Sequence, residues 1–145
     1  GAGKTIVPFN PKPVRRVLSA NTANKLSNML VSVVSPEGTA RRGRIEGFAV
    51  AGKTGTTQKI IDGKYSNRHH VGSFVGYFPA ENPKLVITVV VDEPKMQKGL
   101  FGYGGVVAAP AFSRIGSAIA SYLGMKPMKK DAMAAKIQRG VSGSI

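Results

Sequence analysis

Lys53, Thr54, Gly55 and Thr56 gather an ammonium, two hydroxyls and a bare backbone position into four consecutive residues. Two chemistries use such a set. In one frame, Gly47, four residues and then Gly52-Lys53-Thr54 spell G-x-x-x-x-G-K-[ST], the pattern of a phosphate-cradling loop. In the other frame the segment is a strand. Successive strand side chains alternate, so Lys53, Gly55 and Thr57 point one way and Thr54 and Thr56 the other. Gly55 leaves space where a ligand backbone can lie against the strand. Two hydroxyls and a lysine on such an edge suit an extended ligand that ends in a carboxylate.

The neighbouring residues favour the strand. A phosphate loop needs a flexible glycine-rich turn and then a helix whose N-terminus faces the phosphates. Here the four intervening residues are Phe48, Ala49, Val50 and Ala51, which are apolar and strand-like, and Gly55-Thr56-Thr57 opens a helix poorly. The run "LVITVVVDEP", Leu85 to Pro94, resembles the hydrophobic strand that ends in a magnesium-holding Asp in nucleotide hydrolases. The parallel sheet of those enzymes needs crossover helices, and the short links here cannot supply them.

Other reactive residues are sparse. Cysteine is absent, which excludes disulfides, thiolate metal sites and a Cys nucleophile. His69 and His70 are neighbours on a strand-like run, so they face opposite ways and do not suggest a metal pair. Asp92-Glu93 reads as a turn at a strand end. Neither a metal nor a cofactor is expected.

The elements that must position these residues follow from periodicity and turn signals. Ser19 reads as an N-cap for a helix from Ala20 to about Val34, with Ala23, Leu26, Met29, Leu30, Val33 and Val34 at helical spacing. Three strands follow: about Phe48 to Thr57, then "HVGSFVGYFP", then "KLVITVVVDEP". The second places Val71, Ser73, Val75 and Tyr77 on one face and Gly72, Phe74, Gly76 and Phe78 on the other. The third is continuously apolar, as in a strand covered on both faces. The short links, "QKIIDGKYSN" with its Asp62-Gly63 turn signal and "AENP", favour an antiparallel meander with the second strand in the middle. A second helix is expected from about Val106 to Leu123, apolar on most sides and buried, with Pro110 in its first turn. "KTIVPF" near the start reads as a strand or an extended lead-in, and Lys130 to Arg139 as a short basic helix.

The whole chain has 145 residues, 42% of them hydrophobic, enough for one domain with a core. Its net charge is +14, from 21 Lys and Arg against 7 Asp and Glu. Such a surface attracts polyanions or anionic lipids. Nucleic-acid binding is not expected, because there is no Trp and the aromatics sit among apolar residues. No stretch reaches the ~18 apolar residues of a membrane span.

The segments "RRVLSANTANKLSNMLVSVV", "GTA", "GFAVAGKTGTTQK", "VGSFVGYFPAENPKLVITVVVDEPK" and "YGGVVAAPAFSRIG" occur in the order seen in class B penicillin-binding proteins, over Val14 to Met125. The resemblance implies an α+β fold of the β-lactamase/transpeptidase type, with a three-stranded antiparallel sheet packed with helices. It also implies a D,D-transpeptidase that cross-links peptidoglycan through a serine acyl-enzyme. By the same resemblance, Lys53 supplies positive potential to the substrate carboxylate and the Thr54 and Thr56 hydroxyls donate to it. Gly55 keeps the wall open. The Thr56 backbone N–H is one oxyanion donor.

The implied partners are the peptidoglycan stem peptide, β-lactam antibiotics and the N-terminal half of the same domain. The implied location is the extracytoplasmic face of the bacterial cytoplasmic membrane. One departure matters: no serine is followed by lysine at the fourth position of an S-x-x-K motif. Ser19-Ala20-Asn21 fits S-x-N only in letters, since it opens a helix. Residues 1–125 are therefore expected to be the C-terminal half of a transpeptidase domain, with a basic tail over 126–145. The rival reading is a non-catalytic basic module for an anionic polymer on the same scaffold. The nucleotide hydrolase stands third.

Overall fold

The structure is a computed structural model that describes residues 12–95 and 102–128. The extended lead-in near residues 4–9 and the basic helix near 130–139 lie outside the described residues.

Helix α1 spans Ala20–Ser32. Ser19 caps it from an extended conformation, its Oγ accepting the Thr22 N–H at 3.1 Å. The helix stops two residues before Val34, where Ser32 Oγ donates to the Met29 carbonyl at 2.7 Å and the chain turns. Only its C-terminal end reaches the core, through Val31 and the following Val34. Leu26 and Met29 stay 46% and 50% exposed. Its middle is held instead by Ser27 Oγ, 2.7 Å from the Tyr77 hydroxyl.

Strands β1 (Ala51–Ile61), β2 (Lys64–Phe78) and β3 (Leu85–Asp92) form an antiparallel sheet in the order β1-β2-β3. The meander is as expected, but the first two strands are displaced. β1 starts three residues later than Phe48 and runs past Thr57 to the hairpin, and β2 starts at Lys64. The cause is the Asp62-Gly63 turn. Both residues have positive φ, 50° and 75°, which suits the tight hairpin that pairs Ile61 with Lys64. "QKII" and "KYSN", expected as a link, are therefore strand. Phe48 to Val50 are buried but irregular, tied by the bridge between Ile45 and Phe48.

β3 is not covered on both faces. Leu85, Ile87, Val89 and Val91 pack toward the core, whereas Val86 and Val90 are 70% and 61% exposed. The described chain places the helices that follow, over residues 104–107 and 109–122, on only one side of this strand, so its β-branched run is half-solvated.

The second helical region is two helices, α2 (Gly104–Val107) and α3 (Ala109–Tyr122). Pro110 explains the break. It has no N–H to bond the carbonyl four residues back, and its ring crowds that carbonyl. α3 is not buried all round. Ala109, Phe112, Gly116 and Ala120 form one buried stripe, while Ile115 and Tyr122 are 44% and 89% exposed. Spacings of three and four put the stripe on one face.

The core lies between this stripe and the inner face of the sheet. Phe74, Phe78 and Phe112 are fully buried. Phe112 meets Phe74 at 4.8 Å and Phe78 at 6.3 Å between ring centroids, both edge-to-face. Burial of each such ring stabilises by about 1.5–3 kcal/mol relative to exposure. Gly72 and Gly76 alternate with the phenylalanines and let the helices come close. A Cβ on Gly76 would lie 2.9 Å from two Phe112 ring atoms.

Candidate active site

The K-T-G segment lies inside β1, which has a strand neighbour on one side only among the described residues. Lys53 pairs with Val75, Thr54 with Phe74, Gly55 with Ser73 and Thr56 with Gly72. Directly opposed residues share a face. Thr54 and Thr56 therefore lie on the inner face, beside Phe74 and Gly72. Lys53 and Gly55 lie on the outer face, beside Val75 and Ser73. The strand continues to Ile61 with no helix after Lys53-Thr54, which excludes the phosphate-loop frame.

The two hydroxyls are each engaged by a different segment. Thr39, in the turn after α1, brings its Oγ1 to 3.3 Å from Thr54 Oγ1. The Gly104 N–H, at the start of α2, donates to Thr56 Oγ1 at 3.2 Å. This approach needs glycine. A Cβ on Gly104 would collide with the carbonyl oxygens of Ser73 and Gly55, and one on Gly105 with the carbonyl oxygen of Thr39. The Thr54 methyl lies 3.5 Å from the Gly105 Cβ position, so its methyl faces the helix start.

Lys53 is exposed and folds back to donate to the Thr54 carbonyl at 2.9 Å. It is thus on the same segment as the hydroxyls but across the strand from them. Gly55 is bare on the outer face, and a Cβ there would come within 2.5 Å of Ser73 Oγ. The space that Gly55 leaves is shared with that hydroxyl. Lys53, Thr54, Gly55 and Thr56 are all at least partly exposed, so a ligand along this edge could reach each of them. The site is an open strand edge. A cavity of about 310 Å³ lies between α1 and the Ala49 and Ala80–Glu81 segments, and no K-T-G residue lines it.

The other candidates fall elsewhere. Ser19 is a helix cap. Glu93 and Asp92 both accept from Lys59 Nζ, at 2.8 and 3.1 Å, and His69 Nδ1 is 3.3 Å from Glu93 Oε1. The Lys59 contacts, from Glu93 first, raise the lysine's pKa and hold the Glu93 carboxyl below the usual carboxylate range. This cluster closes the far end of the sheet on its outer face. His70 Nδ1 is buried without a hydrogen-bond partner among the described residues. Sequence reasoning did not find Thr39, Ser73 or Gly104 as neighbours of the site. Thr39 and Gly104 stand far from the K-T-G run along the chain, and no spacing pattern links them to it. The cross-strand register alone could have paired Ser73 with Gly55.

A three-stranded antiparallel sheet, helices on its inner face and a K-T-G strand at its edge define the class. The penicillin-binding protein transpeptidase domain model matches residues 8–117, and the chain belongs to that family. Its fold is the β-lactamase-like fold of those domains. The transpeptidase domain of Burkholderia pseudomallei penicillin-binding protein 3 is 40% identical and superposes with a TM-score of 0.69, over 78% of this chain and 33% of that one. Mycobacterium tuberculosis penicillin-binding protein 3 in complex with ampicillin gives 31% identity and a TM-score of 0.72, over 85% and 29%. Among curated proteins, a probable peptidoglycan D,D-transpeptidase PenA of Neisseria flavescens is 42% identical over 79% of this chain. Stage V sporulation protein D of Bacillus subtilis is 44% identical over 87%. The chain spans 28% and 19% of the lengths of these two relatives.

Proposed function

We propose that this chain forms the K-T-G wall of a peptidoglycan D,D-transpeptidase whose serine nucleophile lies on a segment outside these 145 residues. The observation that carries the proposal is the edge strand itself, with Thr54 and Thr56 oriented by Thr39 and Gly104 on one face and Lys53 on the other. The serine attacks the D-Ala-D-Ala carbonyl, the terminal D-Ala leaves and an ester to the serine remains. The amine of a neighbouring stem peptide then displaces the serine and restores a peptide bond. β-Lactams acylate the same serine.

In this reading the ligand lies along β1. Its terminal carboxylate accepts from the Thr54 and Thr56 hydroxyls, as charge-assisted hydrogen bonds. Lys53 supplies positive potential to the same group. The Thr56 N–H stabilises the carbonyl oxygen as it gains charge. Residues 1–125 are the C-terminal half of the domain, 126–145 are a basic tail, and the N-terminal half of the same domain packs against this one. The protein acts at the extracytoplasmic face of the cytoplasmic membrane. Among the described residues no helix is long and apolar enough to cross a membrane.

The test uses the longer polypeptide that carries this chain and its serine. An ester in place of the Thr56 peptide N–H should slow acylation by a β-lactam, with little loss of reversible binding. Loss of one oxyanion donor costs on the order of a hundredfold to a thousandfold in rate. Lys53→Ala should weaken capture of carboxylate-bearing β-lactams far more than that of analogues without the carboxylate. Equal slowing of both ligand types by both changes would contradict these roles.

A further inference from the structure

We infer that Thr39 is a positioning residue that sets which way the Thr54 hydroxyl donates, and so tunes recognition of the ligand carboxylate. The inference rests on the proposed role of Thr54 and goes beyond it. A threonine hydroxyl has one proton and two lone pairs. To donate to a carboxylate, Thr54 must turn its proton outward, and its oxygen is then free to accept. Thr39 Oγ1, 3.3 Å away, is placed to be that donor.

Two observations make this more than a surface contact between hydroxyls. The first is that Thr54 is β-branched, so its χ1 is restricted, and its methyl faces the start of α2 at Gly105. The second is the parallel arrangement at Thr56. The Gly104 N–H can only donate, and it occupies a lone pair of Thr56 Oγ1. The Thr56 proton is therefore directed away from the helix start. Thr39 completes the same arrangement for Thr54. Both hydroxyls accept from the scaffold and are left as donors, and a hydroxyl that accepts a hydrogen bond becomes a better donor.

The Thr39 turn is also fixed in place. Its carbonyl oxygen abuts Gly105 so closely that no Cβ fits between them, and the Ala40 N–H donates to the Val33 carbonyl at 2.8 Å. Gly43, which follows, donates to the Ala40 carbonyl at 2.8 Å. Thr39 thus reaches Thr54 from a backbone already anchored to α1 and α2.

The experiment compares Thr39→Val and Thr39→Ser in the longer polypeptide that carries this chain and its serine. Val keeps the shape and removes the hydroxyl, whereas Ser keeps the hydroxyl. The readout is the second-order acylation rate with a β-lactam carboxylate and with its methyl ester, alongside the melting temperature. Loss of one orienting neutral hydrogen bond is worth about 1 kcal/mol, or roughly fivefold in rate. We expect Thr39→Val to slow the carboxylate about fivefold, and the ester less than about twofold, with an unchanged melting temperature. Thr39→Ser should restore the carboxylate rate. An equal change for both ligands, no change for either, or no rescue by Ser would overturn the inference. Failure of the unsubstituted polypeptide to acylate at all would instead overturn the proposed function.

Discussion

The faces of Lys53, Thr54, Gly55 and Thr56 are legible in the sequence because alternation is a property of adjacent residues. The faces assigned from spacing are the faces observed. What surrounds them was not legible. Ser73, Thr39 and Gly104 reach the site from other strands and turns, and only the folded register brings them there. Gly76 shows the same limit in the core. Its φ is not positive, so no turn requires it. It is needed because Phe112 and Phe74 fill the space beside it, with Phe74 Cε1 3.0 Å from its Cβ position. These rings are fully buried and interlocked, so they cannot swing aside. Gly76→Ala should therefore destabilise by about 1–3 kcal/mol through overpacking, more than the gain from a stiffer unfolded chain. Denaturant midpoints measure it, and an unchanged or raised midpoint would contradict the packing described.

Among the elements, helix and strand types were readable and their ends were not. Pro110 was visible in the second helix, but whether it would open the helix or split it depended on α2 docking against β1 and β2. The hairpin was visible in Asp62-Gly63, yet its effect on strand length appears only once Ile61 and Lys64 pair. Lys59 on β1 spans to Asp92 at the end of β3 and to Glu93. The Glu93 pKa lies below its ordinary 4.5. Its contribution is therefore complete above the unfolded value and is lost as pH falls through the folded one. The Lys59 pKa lies above 10.5, so the lysine's contribution is complete below that value and is lost as pH rises through the folded one. Glu93 is exposed and Lys59 partly so, so the effect is local rather than a large share of stability. Glu93→Gln should speed amide exchange at the ends of β2 and β3 at about pH 7, and the difference should close in acid as the native Glu93 protonates. A difference that persists unchanged in strong acid would show that charge pairing is not what holds this end.

At the scale of the whole molecule, the sequence order of motifs identified the fold class, whereas composition did not. The +14 charge suggested an anionic partner and pointed to no site. The continuous apolar run of β3 looked like a strand covered on both faces, and the described chain covers one. Val75, Val86 and Val90 stand exposed on the outer face, and β3 has no strand neighbour on its far side among the described residues. The chain alone should therefore self-associate through this edge, and Val86→Lys should reduce association. Sedimentation across a concentration series checks this, and a monomer at every concentration would contradict it. In the proposed function this chain contributes the K-T-G wall while the nucleophile comes from elsewhere in the same polypeptide. Peptide mass spectrometry after labelling with a penicillin tests it most directly. A stoichiometric adduct is expected on a serine outside these 145 residues in the longer polypeptide, and none on the 145-residue chain alone. A stoichiometric adduct on any serine within this chain would contradict it.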